Sequence, residues 1–238
     1  MQNEMNLTNT NINANNQSIS QDHLNELKKL YSESIKKEIA ERNERVANEI
    51  SSSIDEVSNT IGIENNQEIS SLVKTFNDII EEAISVRIEP DAMTNSTIQA
   101  LYFSNLIDSI DLSYATALDT KPMNMSSMSM NMRDNNNMTN MNKDTDNTSN
   151  NTSTITNIAS FQTAKELTND AIDLFNSTVK QNIPSNATDN SNTIESGLQQ
   201  LKDMIELKAS YDNIIGVIHG IIHTNTQEAF NLPLKTSN

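Results

Sequence analysis

Outside a polar N-terminal stretch and one central stretch, the apolar residues of this chain return every three or four positions, and little in the sequence interrupts that rhythm. Such spacing lays a single greasy stripe along an α-helix. Only four glycines and four prolines occur in 238 residues, so the rhythm runs in long segments broken at few points. The period-two alternation of a half-buried strand is weak throughout. The run IIGVIHGII at 214–222 is β-branched enough to suit a strand, but no second run of comparable quality exists to pair with it. The expected fold class is therefore all-α.

The pattern predicts an antiparallel bundle of about five helices. Residues 1–18 are polar and aperiodic and are expected to be a disordered tail. From an N-cap near Ser20, the residues Leu24, Leu27, Tyr31, Ile35, Ile39, Val46, Ile50, Ile54, Val57 and Ile61 predict one leading helix ending at Gly62. It would be a rod of about 60 Å at 1.5 Å per residue. Its far face offers Glu33 with Lys37, Glu38 with Arg42, and Glu41 with Arg45 as pairs four residues apart. A second helix over 66–86 stops before Pro90, and a third begins at Asn95 or Ser96 with Phe103, Ile107, Ile110 and Tyr114 on one side. These three helices form the segment 19–118. Residues 119–154 are rich in methionine, asparagine and serine and lack apolar periodicity, which predicts a disordered linker. A fourth helix over 156–181 and a fifth from Thr193 to before Pro233 form a hairpin, 155–232, packed with 19–118 into one bundle. An echo between 105–110 and 213–218 fits either a duplicated hairpin or chance.

Composition excludes several functions. The net charge of −16 repels a phosphate backbone, so neither nucleic acid nor an anionic membrane surface is an expected partner. Lys28, Lys29, Lys36, Lys37, Arg42 and Arg45 are clustered, but glutamates interleave them, which reads as a solvated face. With no cysteine there is no disulfide, thiolate nucleophile or cysteine-held zinc. The N-terminal residues show no secretory pattern and no apolar run is long enough to span a bilayer, so a cytoplasmic location is expected. No phosphate-binding glycine loop, nucleophile elbow, zinc-protease motif, calcium loop or paired Glu-x-x-His occurs, and the chain is expected not to be an enzyme.

Two features carry candidate chemistry. Met123, Met125, Met128, Met130 and Met132 lie close together, followed by Met138 and Met141. A thioether is a soft, neutral ligand that suits Cu(I) or Ag(I). Over about twenty residues this stretch resembles the methionine-rich segments of copper transporters and periplasmic copper-handling proteins, which implies Cu(I) as its cofactor. Compositional drift in a linker gives the same pattern. His219 and His223, at i and i+4, point the same way on the fifth helix, as two ligands of one metal do, with Glu228 and Asp212 as further ligand candidates. The bland alternative is a packed His219 and a His223 in a fraying helix end. Gly216 and Gly220 suggest a close helix–helix approach. The acid pairs Glu81 with Glu82, and Asp108 with Asp111, read as solvated faces.

The expected function is a non-enzymatic helical interaction or scaffold protein without a cofactor. It would bury apolar stripes against a protein partner or a second copy, with the leading helix as the binding element. The alternative is a soft-metal-handling protein that captures Cu(I) in the insert and passes it to His219 and His223.

Overall fold

The computed structural model describes residues 1–61, 66–122 and 152–232. Within them the protein is all-α, and its β structure is one isolated antiparallel bridge between Thr152 and Ala209. The helices are α1 (Gln2–Asn13), α2 (Gln17–Leu30), α3 (Glu33–Arg42), α4 (Glu44–Thr60), α5 (Asn66–Arg87), α6 (Pro90–Thr94), α7 (Ser96–Ala117), α8 (Ile158–Leu174) and α9 (Thr188–Glu206). After these, α10 (Tyr211–Val217), a π turn (Ile218–His223) and α11 (Thr224–Phe230) run on without a break. The methionine cluster, residues 123–151 of the expected linker and Gly62 lie outside the described residues.

The apolar stripes meet in two cores. One gathers Met5 of α1, Leu24 and Leu27 of α2, Ile39 of α3, Val46 and Ile50 of α4, and Phe76 of α5. The other gathers Phe103, Ile107 and Tyr114 of α7, Phe175 just beyond α8, Leu198 and Leu201 of α9, and Ile218 and Ile222 of the π turn. The third expected helix therefore belongs with the later helices. The change of core falls at 88–95, where Pro90 opens the short α6 and forbids α5 to continue.

The expected disordered tail is a helix. Met5 is fully buried and Leu7 and Ile12 nearly so, while Glu4, Thr8 and Asn11 fill the rest of the inward face. Their polar atoms are satisfied: the Thr8 hydroxyl donates to the Glu4 carbonyl at 2.8 Å, and the Asn11 amide to the Leu7 carbonyl at 2.9 Å. A stripe made half of hydrogen-bonded polar residues is invisible to a hydrophobic-period search.

The expected leading rod is also corrected, because it is three helices folded around one core. Ser32 and Asn43 are extended, with Asn43 at φ −156° and ψ 95°. The Asn43 side chain caps α4 by accepting from the Val46 N–H, and the Tyr31 hydroxyl closes the corner on the Ala47 carbonyl at 2.7 Å. Charges tie the short helices to α5: Arg87 forks onto Glu38 at 2.9 and 3.0 Å, and Arg45 bridges Glu49 and Glu82. The expected fifth helix likewise splits at 207–210, where Lys208 takes a left-handed φ of 54°. The Ser153 N–H bonds to the Lys208 carbonyl at 2.7 Å and the Tyr114 hydroxyl to the Ala209 carbonyl at 2.7 Å, which anchors the corner.

A buried polar seam joins the cores. His23 places Nδ1 2.8 Å from Glu4 Oε2 and Nε2 2.7 Å from Gln162 Oε1. Asn11 donates to the same Gln162 oxygen at 2.8 Å, and the Thr163 hydroxyl donates to Glu4 Oε1 at 2.8 Å. The Leu7 carbonyl fixes which end of the Asn11 amide is the donor. Gln162 Oε1 is thereby an acceptor, so His23 Nε2 carries a proton.

Gly197, not the Gly216 and Gly220 pair, marks the close approach. A Cβ on Gly197 would meet Ile221 Cγ2 at 2.9 Å, whereas nothing lies within 4 Å of one on Gly216 or Gly220. Gly216→Ala should stabilise the fold by about 0.5–1 kcal/mol through helix propensity, and Gly197→Ala should lose that gain to overpacking. Urea midpoints for the two variants check this. Met5→Ala should cost about 2–5 kcal/mol in the same assay; an unchanged midpoint would restore the disordered-tail reading.

Candidate functional site

Helix α7 is apolar on two sides. Asn95 caps it, accepting from the Ile98 N–H at 3.1 Å. Phe103, Ile107, Ile110 and Tyr114 face inward and are fully buried. On the opposite side Ile98 is 45% exposed, Leu101 45%, Tyr102 60% and Leu112 54%. At 3.6 residues per turn these four fall within a stripe roughly 100° wide, with the uncharged Asn105 and Ser109 between them. The only charged residues of α7 are Asp108 and Asp111. A helix with apolar residues all round is normally covered all round, so the outward stripe is a surface suited to contact.

A cleft of about 460 Å³ borders one side of this stripe, sharing Tyr102 with it and adding Leu106 of the same helix. Its remaining walls are Gln2, Asn3 and Asn6 of α1, Asn77 of α5, and Asp170, Asp173 and Leu174 of α8. Asn3 donates to Asp170 at 2.6 Å, Gln2 to Glu81 at 2.8 Å, and Asn77 to Asn6 at 2.8 Å. These bonds use up amide donors, and the buried Oδ1 of Asn77 has no hydrogen-bond partner. Among the described residues no lysine, arginine or histidine lines the cleft, and Asp170 and Asp173 make its lining acidic and rich in acceptors.

The other flank of α7 meets the π turn. The rings of His219 and His223 stack at 5.3 Å with 16° between their planes. His223 Nε2 lies 3.0 Å from Asp108 Oδ1, an ion-pair distance, yet is not aligned for a hydrogen bond. His219 Nε2 lies 3.9 Å from Asp111 Oδ2, and neither of its buried ring nitrogens has a hydrogen-bond partner. The Tyr211 hydroxyl donates to Asp111 Oδ1 at 2.7 Å. Burial pushes the His219 pKa down, helped by His223 and only partly opposed by Asp111 and Asp108. Burial pushes the Asp111 pKa up, against the Tyr211 hydrogen bond and the two histidines.

No protein-family model matches the chain, and neither any curated protein nor any solved structure is detectably similar to it. Function therefore has to be argued from the residues themselves.

The sequence-derived candidates separate. Met123, Met125, Met128, Met130 and Met132 fall outside the described residues. His219 and His223 do sit together, and His223 is buried inside a continuing helical run instead of fraying. Their acidic neighbours are Asp108 and Asp111, with Asp111 buried and not on a solvated face. Glu228 turns away to accept from Asn190 at 2.9 Å. Among the described residues no three His, Asp or Glu side chains are placed to hold a metal ion. The outward stripe of α7 escaped the sequence reading, although Ile98, Leu101, Tyr102 and Leu112 at helical spacing were its signal.

The His219 shift has a definite sign. The unfolded imidazole takes up a proton near pH 6.5, and the folded one resists it to lower pH. Its contribution to stability is whole above pH 6.5 and is lost as pH falls toward the folded pKa. The raised Asp111 acts oppositely, since acid relieves its buried charge. Melting temperature by circular dichroism should therefore fall more steeply on acidification from pH 7.5 to 5.5 in the wild type than in His219→Gln. Parallel curves would show that His219 has no part in the acid sensitivity.

Proposed function

We propose that this protein is a non-enzymatic helical interaction module whose contact surface is the outward face of α7. The observation that carries the reading is the row of Ile98, Leu101, Tyr102 and Leu112, each about half exposed on a helix whose other side is already buried in a core. This replaces the leading helix as the binding element. Leu24, Leu27, Ile39, Val46 and Ile50, the stripe that was to overhang the bundle, are spent on the N-terminal core. Among the described residues no helix is long and apolar enough to cross a membrane, so the stripe is not part of a bilayer-spanning helix.

Magnitudes bound the contact. Complete burial of a large apolar side chain gives about 1.5–3 kcal/mol, so covering four half-exposed ones yields roughly 3–6 kcal/mol. Association costs about 4 kcal/mol or more in lost freedom. The apolar row alone thus supports weak binding. The row runs about 21 Å from Ile98 to Leu112 at 1.5 Å per residue, so a helix laid along it covers it with leucines at i, i+3, i+4, i+7, i+11 and i+14.

The full chain should bind such a peptide with glutamine at its other positions, weakly and saturably in fluorescence anisotropy. Leu101→Asp with Leu112→Asp should abolish the signal and leave the melting temperature within about 0.5 kcal/mol of stability of the wild type, as for exposed positions. Unaltered binding by the double variant, or none by the wild type, would refute the reading.

A further inference from the structure

We infer that the partner surface recognised by α7 is a basic amphipathic helix, whose apolar side covers the α7 stripe while its lysine or arginine side chains occupy the acidic cleft beside it. The inference rests on the reading of α7 as the contact face and adds the chemistry of the occupant.

Charge complementarity carries it. The stripe is bordered on both sides by carboxylates: Asp170 and Asp173 across the cleft, and the half-exposed Asp108 on the opposite flank. Neither α7 nor the cleft lining contributes a lysine or arginine. Tyr102 and Leu106 belong to the cleft as well as to α7, so a side chain leaving the edge of a docked helix enters the cleft directly. There it meets the carboxylate oxygens of Asp170 and Asp173 beside the exposed ring of Tyr102. A guanidinium supplies five donors in a plane and stacks on an aromatic face. An acidic or purely apolar helix would instead desolvate these acceptors with nothing in return. A second copy of the chain is a poor occupant, because it brings the same carboxylates and another charge of −16 against them.

The test uses the full chain and three synthetic twenty-residue helical peptides with identical leucine positions, whose remaining positions are mainly arginine, glutamine or glutamate. Anisotropy titrations at fixed ionic strength should rank them arginine, glutamine, glutamate, with about tenfold between the first two. Asp170→Asn with Asp173→Asn keeps an acceptor for Asn3 and should weaken the arginine peptide about tenfold without moving the glutamine peptide. Asp55→Asn with Glu56→Gln, the same charge change on exposed α4 positions that do not line the cleft, should leave both unchanged. If both double variants weaken the arginine peptide equally, the attraction belongs to the acidic surface at large and the inference fails, while glutamine-peptide binding still upholds the contact face. If the glutamine peptide does not bind at all, the reading of α7 itself fails. If light scattering shows a dimer that Leu112→Asp dissociates, a second copy covers the face and the basic partner is excluded.

Discussion

A buried polar seam centred on Gln162 holds the two cores in register. Gln162 Oε1 accepts from both Asn11 and His23, and so fastens α8 to α1 and α2. Glu4 completes the arrangement, meeting His23 with one carboxylate oxygen and Thr163 with the other. His23 and Glu4 thus meet as a buried hydrogen-bonded pair that ties α2 to α1. Satisfied polar groups of this kind add little to stability compared with apolar packing, but a mispacked alternative would strand them at about 1–3 kcal/mol each. The seam therefore selects one mutual placement of the cores.

The contact face depends on that placement. The cleft beside α7 is built from both halves: α1 and α5 supply carboxamides, and α7 and α8 supply the apolar and acidic walls. Helix α1 packs against α2, α5 and α8, and α2 also touches α8, so these two helices link the N-terminal core to α8. Asn3 reaches Asp170 only because α1 is docked where Glu4 and Asn11 put it. On the other flank the His219 and His223 stack packs under Asp108 and Asp111 and sets the edge of the same face.

What the sequence made legible follows from what hydrophobic periodicity can report. It found α5, α7 and α9 because most of their inward residues are aliphatic or aromatic, and it found α8 from Ala164, Leu167, Ala171 and Leu174 although Ser160 and Thr168 are buried beside them. It missed α1 because Thr8 and Asn11 occupy inward positions and bond to their own helix. It fused α2, α3 and α4 because all three face one core, so the stripe runs on past Ser32 and Asn43; the seven-residue gap from Ile39 to Val46 was the trace of the second break. The Gly216 and Gly220 spacing matched a packing motif, yet tertiary structure put the tight contact at Gly197. At the site, the pairing of His219 and His223 was readable from spacing, but their meeting with Asp108 and Asp111 needed the fold, since more than a hundred residues separate them.

The π turn at Ile218–His223 has a genealogical meaning. Such a turn arises when a regular helix absorbs one surplus residue without shifting its ends. Losing that surplus residue would restore α geometry with α10 and α11 in the same relation, whereas gaining or losing one in the regular helix on either side would rotate α11 by about 100° relative to α10. Ile214 and Ile215 before the turn and Thr226 and Ala229 after it are all buried, so only a change absorbed at the turn keeps both ends packed. The irregularity is thereby a point of tolerance: lineages carrying this fold can lose one residue within the turn more readily than in the regular helix on either side of it.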